Sequence, residues 1–225
     1  MRLGCDIGGT FTDFVLLDDE TGEIKVYKCL TTPGDPSDAV EEGVRALSKR
    51  APDLPQKMKE VIHGTTLVIN AIIERKGALT GLITTEGFRD VLELGRETRY
   101  APYDVFAEFP KPLVPRPLRM EVSERLRADG SVLKALDVKQ AGDVVRALKN
   151  ADVKSIAICL LNSFENPAHE LAVKQIITKE FPEVSISTSY EVLPQIREYE
   201  RTSTTVANAY VKPLTESYLR KLSKR

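Results

Sequence analysis

The first dozen residues constrain the fold more than any other stretch. There Gly4-Cys5-Asp6-Ile7-Gly8-Gly9-Thr10-Phe11-Thr12-Asp13 interrupts a short apolar run with an acid, two glycines and two hydroxyls, and Phe14-Val15-Leu16-Leu17 resumes it. The pattern reads as strand, tight turn, strand: a hairpin with a polar tip. Gly8 and Gly9 can take backbone angles closed to other residues, so successive N–H groups can converge on an oxyanion. Thr10 and Thr12 add hydroxyl donors beside it. Asp6, at the end of a buried strand, supplies a carboxylate suited to Mg²⁺ or its water shell. Together these residue types suit a magnesium-bound polyphosphate, and the competing reading is a plain Gly-Gly turn with an Asx cap. There is no G-x-x-x-x-G-K-[ST] and no G-x-G-x-x-G opening a helix, so a phosphate site here is of a hairpin type, not a helix-terminus type.

The 225 residues can bury a full apolar core. Their 32 basic and 33 acidic side chains favour neither nucleic acid nor a membrane surface as partner. Cys5, Cys29 and Cys159 are widely spaced within apolar runs and read as reduced, buried thiols of a cytoplasmic protein. No signal-like stretch precedes the first strand, and no apolar run reaches membrane-spanning length. Two histidines without H-E-x-x-H point away from zinc and towards a hard cation held by oxygens.

Beyond the hairpin, Glu20-Thr21-Gly22 turns the chain into Ile24-Lys25-Val26-Tyr27-Lys28-Cys29, which alternates as a half-buried strand does. Asp35 caps a helix with Pro36 at its first position, and Ala39, Val40, Val44 and Leu47 form its buried stripe. Glu60 to Thr66 reads as a strand entering a helix over 67–75, with Thr65 or Thr66 at its N-cap. A strand at 79–83 and a helix at 88–94 follow. Five prolines between Tyr100 and Pro117 imply an extended arm, and 118–127 with 132–135 read as a second hairpin through Asp129-Gly130. Asp137-Val138-Lys139-Gln140 is a capping box, the near-continuous apolar run over 155–161 is a central strand, and Pro213 restarts a final helix. Strands alternating with helices imply an α/β fold with a mixed sheet covered by helices. The domain reading is one lobe over 1–225 with an arm and hairpin inserted at about 98–136.

Four motifs occur in order: Asp6-Ile7-Gly8-Gly9-Thr10-Phe11-Thr12-Asp13; His63-Gly64-Thr65-Thr66 with Asn70-Ala71; Leu82 to Val91; and Glu198-Tyr199-Glu200-Arg201-Thr202 with Asn208-Ala209-Tyr210. They closely resemble the N-terminal domain of the hydantoinase A and 5-oxoprolinase family. The resemblance implies a ribonuclease-H-like ATPase lobe of the actin and sugar kinase type, with helices on both faces of a mixed sheet. It further implies ATP and Mg²⁺ as cofactors and a cyclic amide substrate whose amide oxygen is phosphorylated. A related branch of the family carboxylates ketones instead, and a regulatory ATPase module is the non-catalytic alternative. No second acid-x-Gly-Gly hairpin follows the first. The facing lobe is therefore expected from the C-terminal part of a longer parent chain or a separate subunit, beside a hydantoinase B-type subunit. One departure stands out: Val68 and Ile69 occupy places where family members commonly carry small or hydroxyl residues.

These motifs define the candidate site. Asp6 would organise the metal; Gly8, Gly9, Thr10, Thr12 and Asp13, with Gly64, Thr66 and Asn70, would hold the nucleotide. His63, Thr65, Glu200 and Arg201 are the catalytic candidates, with His63 either a strand-end residue bonded to backbone or a group facing phosphate or substrate. Thr65 and Thr66 also serve as plain N-caps, and Glu200 with Arg201 as a solvated helix face. Arg96 and Arg99 are read as structural.

Overall fold

A computed structural model describes residues 1–32, 34–98, 101 and 103–224. Arg99, Tyr100 and Pro102 of the expected arm lie outside the described residues. The chain divides into two compact units, Met1–Lys76 with Leu214–Arg225, and Gly77–Pro213.

The first unit contains β1 (Arg2–Ile7), β2 (Phe11–Leu17), β3 (Ile24–Leu30), α1 (Pro36–Arg50), the one-turn α2 (Leu54–Lys57), β4 (Glu60–Thr65) and α3 (Leu67–Ile73). Its sheet has the order β3-β2-β1-β4, with β1 antiparallel to β2 and parallel to β4. Three antiparallel strands followed by a parallel one are the opening of a ribonuclease-H-like sheet, as the resemblance implies. Strict alternation buries Leu3, Cys5, Ile7, Phe14 and Leu16 with Ala39 and Leu47 of α1. Asp35 caps α1, accepting from the Ser37 N–H at 3.1 Å, with Pro36 in the first turn. Gly43 lets α1 lie close to the sheet, since a Cβ there would sit 2.1 Å from the Phe14 ring.

The second unit begins with β5 (Thr80–Thr85), the short α4 (Val91–Leu94), a 3₁₀ turn and β6 (Arg119–Val122). It continues through β7 (Arg125–Leu126), β8 (Val132–Lys134), α5 (Val138–Asn150), β9 (Ser155–Cys159), α6 (Ala168–Glu180), β10 (Ser185–Thr188) and α7 (Ser189–Val192). Its main sheet is wholly parallel, β10-β9-β5-β6. β9 lies between two strands and is buried throughout, as its continuous apolar run predicts. Finally, α8 (Glu198–Leu222) runs to Pro213 in the second unit and from Leu214 in the first.

The structure differs from the pattern reading in several places, and the helix expected over 88–94 is reduced to the single turn of α4. Only β7 and β8 form the second hairpin, closed through Gly130 at φ 77°, while 119–122 leaves it to pair in parallel with β5. Gln140 does not complete a capping box: its Oε1 accepts from the Ser123 N–H (2.7 Å), and Asp137 alone caps α5 (2.9 Å). Pro213 lies inside α8 rather than at a restart. It forfeits one intrahelical N–H donor, but buried Tyr210 and Val211 before it and Tyr218 after it hold the helix on both sides.

Candidate functional site

The tip between β1 and β2 closes when Gly8 N–H donates to Phe11 O (2.9 Å). Neither Gly8 nor Gly9 has a left-handed φ, so close approach, not unusual angles, demands glycine here. A Cβ on Gly8 would lie 3.0 Å from Phe11 O, and one on Gly9 3.2 Å from Asn70 Nδ2. Thr31, just beyond β3, braces the tip by donating its hydroxyl to Gly8 O (2.9 Å). That hydroxyl also meets Thr12 Oγ1 at 3.0 Å, and both threonines are buried. Thr12, expected as a phosphate donor, is thus engaged inside the unit, whereas Thr10 is exposed.

Parallel pairing of β4 beside β1 sets Gly64 level with Asp6 and Thr65 level with Ile7. Thr65 Oγ1 accepts from the Leu67 N–H (3.1 Å) in a turn that leads into α3, whose N-cap is Thr66. Thr66 donates its N–H to Ile7 O (3.0 Å) and accepts from Asn70 Nδ2 (3.1 Å). Gly8, Gly9, Thr31, Thr65 and Asn70 meet around a cavity of about 260 Å³. Four of the predicted site residues therefore share one cavity, although they come from motifs some sixty residues apart in sequence.

Asp6 and Asp13 stand directly opposite each other across the β1–β2 ladder. Asp13 also pairs with Lys28 (2.8 Å). By strand alternation these acids point away from the buried Cys5 and Ile7. Two like charges facing across a ladder repel, and an all-oxygen pair is a donor set that suits Mg²⁺ completed by water and phosphate. The absence of a Cβ on Gly64 leaves room there, since one would lie 3.1 Å from Asp6 Oδ1. Among the described residues no three His, Cys, Asp or Glu side chains form a metal-binding group.

His63 faces inwards, its Nε2 at 2.8 Å from the Tyr218 hydroxyl. Burial pushes the histidine below its ordinary value, although a hydrogen bond to the Cys5 backbone acts the other way. Burial first, and the nearby Cys5, push the Tyr218 phenol up to about 12. The neutral phenol therefore donates and the neutral imidazole accepts.

In the second unit Glu200 and Arg201 are neighbours in sequence but not in environment. Glu200 forms an ion pair with Arg96 at 2.5 Å, beside a cavity of about 520 Å³. Arg201 is 2% exposed. Its Nη2 donates to Leu160 O (2.7 Å), its guanidinium lies 5.2 Å from the Phe164 ring centre, and its Nε and Nη1 have no hydrogen-bond partner among the described residues. The run Thr202-Ser203-Thr204-Thr205 is poor in helix propensity but is held by tertiary contacts. Thr202 Oγ1 meets Cys159 Sγ at 3.1 Å, and Thr205 bonds back to Arg201 O at 2.7 Å.

The chain belongs to the family described as the hydantoinase/oxoprolinase N-terminal region, whose model matches residues 2–181. It is 37% identical to the caprolactamase subunit alpha of Pseudomonas jessenii over 98% of its length and 32% of that protein. The crystal structure of the ATP-dependent caprolactamase of that organism superposes with a TM-score of 0.89 at 35% identity, covering 99% of this chain and 33% of the other. The nucleotide-free structure of acetone carboxylase gives 0.90 at 29% identity, covering 100% and 34%. The chain thus spans about a third of the length of these three relatives. No helix among the described residues is long and apolar enough to cross a membrane.

Proposed function

We propose that this chain is the phosphate-binding lobe of an ATP-dependent enzyme that opens cyclic amides by phosphorylating the amide oxygen. The observation that carries this reading is the cavity where Gly8, Gly9, Thr65 and Asn70 converge. Hairpin N–H groups other than that of Gly8, which donates to Phe11 O, would hold phosphate oxygens with the Thr10 hydroxyl, while Thr12 and Thr31 stiffen the tip from beneath. Asp6, with Asp13, would hold Mg²⁺, which neutralises phosphate charge when bound. The protein's part is then positioning and electrostatic stabilisation. His63 fits a supporting role, because its Nε2 faces inwards and is already engaged by Tyr218. Likeness to a caprolactamase named as ATP-dependent supports the choice of substrate class. The likeness to acetone carboxylase supports ketone carboxylation as the second reading. The rest of the parent chain, a facing lobe and a partner subunit would complete the cleft.

Calorimetric titration with Mg-ATP tests the reading. Weak binding is expected in the unmodified chain, and its loss in both Asp6→Asn and Gly9→Val. The valine would crowd Asn70, where even a Cβ comes within 3.2 Å of the amide. Equal binding in all three proteins would sink the hairpin site.

A further inference from the structure

We propose that the second unit carries a recognition site for small cyclic secondary amides, built on the Arg96–Glu200 ion pair. This rests on the substrate class proposed above and gives it a place. The cavity of about 520 Å³ beside the pair is within the usual range for small-molecule sites. Leu92, Leu94, Phe109 and Tyr199 supply apolar walls, and Ser203 and Thr204 supply hydroxyls. At its edge Arg96 Nε donates to Glu200 Oε1 at 2.5 Å. A guanidinium has five N–H donors and a carboxylate about four lone-pair sites, so the bond to Arg96 and the one from its own backbone leave the Glu200 carboxylate acceptor sites beside a cationic donor.

That pairing matches one chemical group closely. A small ring holds its amide cis, which places the carbonyl oxygen and the N–H on the same edge. An open-chain amide is trans and presents them on opposite sides. The ring's carbonyl would accept from Arg96 while its N–H donates to Glu200. A hydrogen bond from backbone at Glu200 itself, then Arg96, hold the Glu200 carboxyl below its ordinary value, so it stays an acceptor. Glu97, which follows Arg96, and Arg197, just ahead of α8, adopt left-handed angles at φ 57° and φ 81°. Backbone strain of this kind persists where the surroundings over-determine a local geometry.

The test is an NMR titration of the 225-residue chain with ε-caprolactam in the absence of nucleotide. Saturable shifts are expected at the amides of residues 95–98 and 199–204. N-methylcaprolactam keeps the carbonyl but lacks the N–H, and N-methylacetamide is trans; each should bind roughly tenfold more weakly or worse, as loss of one charge-assisted hydrogen bond implies. Arg96→Ala and Glu200→Ala should weaken caprolactam binding by a similar factor. Equal response to the three probes, shifts that survive both substitutions, or no shift at these amides would overturn the proposal. With ATP absent and the first unit not read, this outcome is independent of the ATP titration.

Discussion

In β1 and β2 of the first sheet side chains alternate between a covered face and an open one, whereas every residue of β5 and β9 in the second is buried. The open face carries Val15, Val26 and Ile62, each more than 45% exposed. Covered on one side only, the first sheet depends on how closely α1 can approach it; the second depends on the volume filled within its strands. The same class of substitution should therefore carry very different costs in the two units.

The largest effect is expected for Ile158→Ala. This side chain has no exposed surface and sits in a core with Val145, Leu148, Val173 and Ile177. Truncation should cost about 2–5 kcal/mol, read as a shift in the denaturant midpoint of the second unit. A loss under about 1 kcal/mol, the average for any point change, would break the contrast. Gly43→Ala comes next: the new methyl would start 2.1 Å from the Phe14 ring, so α1 must lift, at about 1–3 kcal/mol. Unchanged stability would show that the helix rests loosely on the sheet.

His63 sharpens the comparison by pH. Burial lowers its pKa in the folded chain, so the unfolded chain takes up the proton more readily. Stability should be fully present above the ordinary histidine range and fall as pH drops through it. Denaturant midpoints from about pH 8 to about pH 5.5 should slope more in the unmodified chain than in His63→Gln. Equal slopes would remove His63 from the account. The smallest effect is expected for Val26→Thr on the open face, within about 0.5 kcal/mol of no change. A larger loss would mean that this face is covered in solution.

Where local pattern and tertiary partner agree, the sequence was legible. The strict alternation of β1 and β2, the Asp35-Pro36 cap and the all-apolar β9 each follow from short stretches. Partner choice did not. Residues 119–122 would alternate in the same way in a hairpin or beside β5, and nothing within four residues separates the two. The site divides along the same line. Gly9 and Asn70 meet because β4 docks parallel to β1, and each belongs to a recognisable motif. Thr31 was missed because its hydroxyl matters only once β3 has paired. Arg96 was read as structural because its partner is 104 positions away.

The three buried cysteines divide between the units, Cys5 and Cys29 in the first and Cys159 in the second. Burial raises all three thiols, Cys5 to about 11, so near neutral pH almost no thiolate is offered to a reagent while the fold is closed. Alkylation must wait for an opening event. Each unit therefore carries its own chemical clock, and site-resolved labelling rates would time the breathing of one half of the chain separately from the other.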